Sequence, residues 1–155
     1  MKNIGLLLFV VLLFIGIDQM TKLMAIEYLK GAEPISYLND TFRWVYAENS
    51  GAFLGMGDSL SKELRFWIFI VAVSVALLGM LIYIFRNPQL SPTTVIAIGL
   101  IASGGISNVI DRIFNNGAVI DFMNMGIGTL RTGIFNVADM IILLGVAMII
   151  VWHKE

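Results

Sequence analysis

The chain has 155 residues, of which 58% are hydrophobic and only 14% are charged, and its formal net charge is −1. This composition lies far from the averages of soluble domains, and the near-neutral charge argues against nucleic acid as a partner. The sequence contains no cysteine, which excludes disulfides, thiolate nucleophiles and cysteine-based metal sites. Its one histidine, His153, follows the last apolar stretch.

Four apolar stretches follow one another along the chain, each near the ~20 residues that a membrane-spanning helix requires. We predict that they span the membrane at residues 4–24, 66–85, 94–111 and 135–152. The first stretch extends through "DQMTKLMAI", which places Asp18 and Lys22 on a helix at membrane depth. No small-residue cleavage site follows its apolar run, so we interpret it as a retained helix and not as a secretory signal. The predicted fold is an all-α membrane bundle of four transmembrane helices, formed by a single domain, residues 1–155.

The connections between these helices differ in length and composition. "RNPQLSP", residues 86–92, contains two prolines that cannot continue a helix, so it predicts a tight turn. The first connection, residues 25–65, is much longer. Within it "TFRWVYAEN", residues 41–49, mixes aromatic, β-branched and polar residues as an amphipathic strand does. We therefore predict a small extracytoplasmic loop region that contains a β-strand.

Four spans place both termini on one side of the membrane. A raw count of basic residues opposes a cytoplasmic N-terminus, but the count per residue of short loop favours it, and we expect both termini in the cytoplasm. In either orientation the end of the first helix, the start of the second, the end of the third and the start of the fourth meet on one side. The unusual polar residues fall at these ends: Asp18, Gln19, Thr21, Lys22, Asn49, Asn108, Asp111, Arg112, Asn136 and Asp139. The sequence thus predicts one polar site near the extracytoplasmic side.

Helical spacing points the polar groups of each helix in one direction. Asp18 and Lys22 are four residues apart and can pair on one face. Asn108, Asp111 and Arg112 share a face of the third helix in the same way. Because a charge that faces lipid is costly, we expect these faces to point inward.

A purely structural role for these residues stays open. Asp18–Lys22 and Asp111–Arg112 are candidates for ion pairs that fix helix ends. Asn136 is a candidate cap of the fourth helix. Three glycines of the third helix are expected to permit close helix packing: Gly99, Gly104 and Gly105.

Asp121 and Asp139 fit a structural role less well, because Lys22 and Arg112 already have acids at helical spacing. Two carboxylates in a semi-dry site cannot both ionise cheaply, so one is held protonated and the other charged. Such a pair supplies a general acid and a general base with a water between them, which is what amide hydrolysis requires. Without a cysteine or a central histidine, the remaining protease alternative is a serine–lysine pair such as Ser107 with Lys22.

Five sequence blocks resemble the signature motifs of lipoprotein signal peptidase, the bacterial type II signal peptidase, which is an aspartic intramembrane protease. The blocks are "DQMTK" (18–22), "NSGAF" (49–53), "GGISNVIDR" (104–112), "VIDF" (119–122) and "FNVADM" (135–140). They follow the order of the family, and the four-helix layout covers the whole chain.

The resemblance implies that Asp121 and Asp139 are the catalytic aspartates and that no cofactor or metal is required. It implies that a further set of residues binds substrate, holds the dyad or shapes the site: Asp18, Lys22, Asn49, Gly51, Gly105, Asn108, Asp111, Arg112 and Asn136. The implied substrate is a prolipoprotein whose lipobox cysteine already carries diacylglycerol, cleaved just N-terminal to that cysteine. We expect a monomer in the bacterial inner membrane, in contact with membrane lipids and with no nucleic-acid partner.

Two functions of other classes remain as alternatives. A transporter or proton relay uses intramembrane acids, but it places polar groups across the full membrane depth, whereas here they gather on one side. A two-carboxylate metal hydrolase would use Asp121, Asp139 and Asn136, without a nearby histidine as a further ligand.

Overall fold

The computed structural model describes residues 2–52 and 56–152. Phe53 of the "NSGAF" block and His153 lie outside the described residues. The elements in chain order are α1 (Lys2–Leu29), β1 (Ile35–Tyr37), β2 (Phe42–Asn49), α2 (Lys62–Arg65), a π-helical segment (Phe66–Ala72), α3 (Val73–Arg86), α4 (Pro92–Phe114), β3 (Val119–Ile127), β4 (Leu130–Arg131) and α5 (Val137–Trp152).

The described residues contain three helices that are long and apolar enough to cross a membrane. They are residues 3–29, the continuous helix 62–86 made of α2, the π-helical segment and α3, and residues 92–114. The fourth apolar helix, α5, is present where it is predicted but is shorter. A membrane fold of apolar helices with a small sheet is therefore observed, and the crossing of the membrane by α5 stays a prediction.

α1 continues to Leu29, beyond the end of the first predicted membrane span at about residue 24. Its last turns are kept helical by packing, since Ala25, Ile26 and Leu29 contact the buried side chains of β3. The helix then ends before Gly31, whose positive φ of 80° stops it. The long connection is accordingly residues 30–61 and not 25–65. At its far end Ser61 caps α2, its hydroxyl accepting a hydrogen bond from the Leu64 N–H.

The turn between α3 and α4 is as tight as the two prolines predict. α3 ends at Arg86 and α4 begins at Pro92. Ser91 caps α4, with its Oγ 3.2 Å from the Thr94 N–H that donates to it. Proline in the first turn of a helix removes only an N–H that has no partner there.

The four strands form one antiparallel sheet in the order β1-β2-β3-β4. β2 confirms the strand predicted at residues 41–49. In its pairing with β3, Ala47 lies opposite Asp121 and Asn49 lies opposite Val119. Trp44 of β2 stacks on Phe122 of β3, which fastens the sheet to its apolar core.

α4 is the most buried of the long helices and packs against α1, α3 and α5. Glycines permit the closest contacts. A Cβ on Gly104 would lie 2.6 Å from the carbonyl oxygen of Ala138 in α5, and one on Gly99 would lie 3.0 Å from Val10 in α1. The prediction that the glycines of this helix serve close packing is confirmed. Gly145 of α5 plays the same part, since a Cβ there would lie 2.6 Å from the carbonyl oxygen of Ala97.

We expect Gly145→Ala to destabilise the protein by about 1–3 kcal/mol, because the new methyl group meets backbone that cannot move without separating α4 from α5. Gly79→Ala is the matched control, since the space around Gly79 in α3 is open. Thermal unfolding in detergent should give a lower midpoint for the first variant only. Equal midpoints would mean that the contact between these two helices is loose.

Candidate active site

A group of polar residues is buried where the ends of α1 and α4 meet the start of α5 and the strand β3. Five of them have no more than 3% of their surface exposed: Asp18, Lys22, Asp111, Asp121 and Asn136. The structure therefore brings together residues that the sequence placed at the ends of different helices.

Lys22 lies at the centre of the group. Its Nζ is 2.7 Å from Oδ2 of Asp18, 2.9 Å from Oδ2 of Asp111 and 2.9 Å from Oδ1 of Asn108. The ammonium group has three donors, and each has an acceptor. The predicted Asp18–Lys22 pair is confirmed, and the same lysine also pairs with Asp111.

The carboxylates of Asp18 and Asp111 also hold neighbouring elements. Oδ1 of Asp18 accepts a hydrogen bond from the Ala138 N–H at 2.7 Å, which joins α1 to the first turn of α5. Oδ2 of Asp111 accepts one from the Ile120 N–H at 3.1 Å, which joins α4 to β3. Gln19 donates to Oδ1 of Asp111 at 2.8 Å. Each acid thus neutralises the lysine and also fixes the backbone of a segment that carries a dyad aspartate.

The predicted Asp111–Arg112 pair is wrong. Successive residues of a helix point about 100° apart, and Asp111 turns towards Lys22 in the interior. The guanidinium of Arg112 instead donates to the carbonyl oxygen of Gly51 at 2.7 Å and to that of Asn108 at 3.2 Å. It lies over the ring of Phe69, 5.3 Å from the ring centroid. Arg112 therefore holds the segment after β2 against α4.

Asn136 connects Asp121 with Asp139. Its Oδ1 accepts from the Asp139 N–H at 2.9 Å, and its own N–H donates to Oδ2 of Asp139 at 3.2 Å, which is a reciprocal cap at the start of α5. Its Nδ2 donates to Oδ1 of Asp121 at 2.6 Å. The predicted cap is confirmed, and the same side chain also bonds the second carboxylate.

Each of the two carboxylates also accepts a hydrogen bond from a further asparagine. Asn49 donates to Oδ2 of Asp121 at 3.0 Å, and Asn108 donates to Oδ1 of Asp139 at 3.2 Å. Among the described residues, no basic side chain forms an ion pair with either carboxylate. Both aspartates are thus held by neutral donors, which leaves their charge uncompensated.

Burial raises the pKa of Asp121 from its ordinary value of 3.8 to about 7, with the charge of Asp139 acting in the same direction. The hydrogen bonds from Asn49 and Asn136 oppose this rise by stabilising the ionised form. A carboxyl group with this pKa exchanges protons readily at neutral pH.

Both aspartates line one cavity of about 450 Å³. Asn49, Gly105, Asn108 and Arg112 line it as well, and its remaining walls are largely apolar side chains of the π-helical segment, α3 and α5. Gly51 is buried beside it, with its N–H donating to Oδ1 of Asn49. Four further site candidates do not line the cavity: Asp18, Lys22, Asp111 and Asn136. Asn136 bonds Asp121 and Asp139 directly, whereas the other three reach them through Asn108 and through the backbone of α5 and β3.

Ser107, the candidate nucleophile of a serine–lysine pair, is fully buried, and its hydroxyl donates to Oδ2 of Asp18 at 2.7 Å. This arrangement does not support a nucleophilic role. Thr132, Gly133 and Ile134, which the sequence did not single out, form part of the cavity wall. Their contribution is made by backbone as well as side chains, so no residue type in the sequence signals it.

The described residues contain no cluster of three or more histidine, aspartate or glutamate side chains placed to bind a metal ion.

A family model described as Signal peptidase (SPase) II matches residues 10–153. The chain belongs to the signal peptidase II family. It is 35% identical over 155 residues to the lipoprotein signal peptidase of Anoxybacillus flavithermus, a match that covers 97% of this chain and 89% of that protein. It is 33% identical over 148 residues to the lipoprotein signal peptidase of Chlorobium phaeobacteroides, covering 90% and 84% of the two chains.

A solved structure described as a bacterial membrane enzyme is similar to this chain with a TM-score of 0.79 and 26% sequence identity. The similarity covers 97% of this chain and 89% of the other. The resemblance drawn from the five sequence blocks is confirmed, and membership of the signal peptidase II family makes the chain a membrane protease.

We expect Lys22→Met to destabilise the protein by about 3–5 kcal/mol, because it leaves two buried acids without a counter-charge. The double variant Asp18→Asn/Lys22→Met should be less destabilised, since only Asp111 then remains unpaired. Lys30→Met is the control, because that lysine forms an exposed pair with Glu48. Thermal unfolding midpoints should follow this order. A single variant no less stable than the double variant would show that the lysine does not neutralise both acids.

Because the pKa of Asp121 is raised in the folded protein, the folded state binds more protons than the unfolded state between the ordinary pKa and about 7. This group therefore stabilises the fold at low pH, and its contribution falls by up to about 1.4 kcal/mol per pH unit as the pH rises through that window. Asp121→Asn should remove this dependence. Unfolding midpoints at pH 5 and pH 7.5 should differ more in the wild type than in the variant; identical differences would contradict the assignment.

Proposed function

We propose that the protein is an aspartic endopeptidase in which Asp121 and Asp139 activate a water molecule. The observation that carries the proposal is the position of Asn136, which bonds both carboxylates at the wall of one cavity. Asn136 thereby holds the two acids at one site. Among the described residues, no basic side chain pairs with them and keeps both ionised. A dyad that shares a proton supplies the acid and the base of amide hydrolysis.

In the proposed reaction the ionised aspartate takes a proton from the water as its oxygen attacks the scissile carbonyl carbon. The protonated aspartate gives its proton to the carbonyl oxygen, which forms a tetrahedral diol. Collapse of this intermediate breaks the C–N bond: the protonated aspartate gives its proton to the leaving nitrogen, and one hydroxyl of the diol gives its proton to the other, ionised aspartate as the new C=O forms. The dyad ends with one proton, as it began, so no cofactor is consumed.

Arg112 is a candidate for binding the substrate backbone. Its Nε is buried and has no hydrogen-bonding partner among the described residues, while its other nitrogens hold Gly51 and Asn108. A buried donor without a partner is costly, so a small shift of the guanidinium that presents Nε to a peptide carbonyl in the cavity would be favourable. Asn49, beside the same wall, would keep Asp121 oriented during this contact.

We propose a diacylglyceryl-modified prolipoprotein as substrate, cleaved just N-terminal to the lipidated cysteine. The names of the relatives support lipoprotein processing. The apolar cavity walls formed by Phe69, Val73, Ile142 and Leu143 suit a substrate whose lipid and signal helix remain in the membrane.

We place the protein in the bacterial inner membrane as a four-span monomer with cytoplasmic termini and an extracytoplasmic site. A proton relay has less support, because the buried polar residues are gathered at one end of the bundle.

Asp121→Asn and Asp139→Asn should each reduce cleavage of a lipidated precursor by about a thousandfold or more, since asparagine keeps the shape but cannot accept the proton of the water. A gel-shift assay with purified protein measures the cleavage, and thermal unfolding checks that the variants are folded. Asp40→Asn is the matched control, because Asp40 pairs with Arg43 away from the cavity. Substantial turnover by either dyad variant would contradict the aspartic mechanism.

A further inference from the structure

The chain between β4 and α5 continues alongside β3 after β4 ends. The Thr132 N–H donates to the carbonyl oxygen of Met125 at 2.7 Å. Further on, Phe135 and Met123 exchange two backbone hydrogen bonds, of 2.8 Å and 2.9 Å, which form an antiparallel bridge. Residues 132 and 135 are thus fixed to the sheet, and the two residues between them form its outer edge.

Three of the four backbone N–H and C=O groups of Gly133 and Ile134 lack a partner among the described residues; the fourth, the Gly133 carbonyl oxygen, accepts a hydrogen bond from the Asn124 side chain at 3.5 Å. Within residues 2–52 and 56–152, the N–H of Gly133 and both the N–H and C=O of Ile134 have no hydrogen-bonding partner. Phe135 directs its N–H and C=O towards β3, and neighbouring residues of an extended chain direct these groups to opposite sides. Those of Ile134 therefore point away from the sheet. An edge of this kind is a template for a further strand.

The free edge is part of the cavity that contains the dyad. Gly133 and Ile134 line it together with Asp121 and Asp139. Ile134 is two residues before Asn136, whose side chain bonds both carboxylates. A peptide that binds in this cavity beside the two aspartates therefore lies within reach of the edge.

The conformation of such a peptide is constrained by the chemistry. In a helix each carbonyl oxygen accepts a hydrogen bond from an N–H four residues on, and neighbouring turns shield the carbonyl carbon. Water attack requires a peptide bond with an accessible carbonyl, so the cleaved segment has to be extended. Extended peptides lose their hydrogen bonds to water on entering an apolar cavity, and an unpaired strand edge replaces them.

We propose that Ile134 binds the substrate backbone, with an extended residue near the scissile bond exchanging two hydrogen bonds with it and adding a strand to this outer edge of the sheet. The ligand class is an extended peptide recognised by its main chain, whatever its side chains. This inference rests on the proposed function, because the peptide is the segment that the dyad cleaves.

The test is an N-methyl scan of a diacylglyceryl-modified substrate peptide with wild-type protein in detergent. One backbone N–H at a time is methylated in the four residues on either side of the scissile bond, and that bond itself is left unmodified. We expect KM to rise about tenfold at the one position whose N–H meets the carbonyl of Ile134. The adjacent positions, whose N–H groups point the opposite way, serve as controls and should change little.

A matched pair of protein variants tests the other hydrogen bond. Ile134→Pro removes the N–H that would donate to the substrate carbonyl, whereas Ile134→Val keeps it. The valine variant keeps the backbone groups and reports any effect of the shorter side chain in the cavity wall. The proline variant should show a KM raised well above that of the valine variant, with kcat changed much less. Where the proline variant does not fold, as judged from thermal unfolding, the N-methyl scan alone decides.

The outcomes separate this inference from the proposed function. Normal cleavage of the unmodified peptide with a flat N-methyl profile would overturn strand addition and leave the peptidase function in place. Failure to cleave the unmodified peptide would overturn the proposed function itself. A single sensitive position flanked by insensitive ones supports the pairing.

Discussion

The site depends on one ammonium group enclosed by protein. Lys22 is almost fully buried and has two carboxylates and one amide oxygen as partners, contributed by α1 and α4. Withdrawing these charges from water is expensive, and a buried ion pair by itself adds little net stability. Its physical effect is to specify geometry, because any displacement of α1 relative to α4 leaves a buried charge without a partner.

The position of Lys22 also orients the side-chain amides that bond Asp121 and Asp139. An ammonium group can only donate, so the oxygen of the Asn108 amide must face Lys22, and its nitrogen then faces Asp139. Asn136 is oriented in the same manner, since its oxygen accepts from the Asp139 N–H and its nitrogen is left for Asp121. The orientations of the Asn108 and Asn136 amides, and so their hydrogen bonds to Asp139 and Asp121, are thus set by an ammonium group and a backbone N–H, which can only donate.

Contacts within one element were predictable from sequence, and contacts between elements were less so. Asp18 and Lys22 are one turn apart on α1, so spacing alone found the pair. The partner of Asp111 was missed because it lies on another helix, and the choice between Arg112 and Lys22 depends on how the helices pack. β3 escaped prediction for a different reason. Its first six residues are all buried, so "VIDFMN" lacks the alternation that distinguishes a half-exposed strand.

The site residues themselves were found more readily than their roles. Acids and asparagines in apolar surroundings stand out in any membrane sequence, and the five blocks add specificity that no single residue has. The double use of Asn136 and the free edge at Ile134 involve main-chain groups, which every residue type carries. Such features become visible only when the backbone is placed.

The contact between Asp18 and the Ala138 N–H joins residues 120 positions apart, and this separation orders events during biosynthesis. α1 is made long before α5, so Oδ1 of Asp18 has no Ala138 N–H to bond when α1 first forms. Its lysine partner, however, lies one turn away on the same helix. The charge can therefore be neutralised from the moment α1 forms, and the nascent helix can enter the bilayer with its polar residues already matched. The later elements then dock onto a pair that already exists.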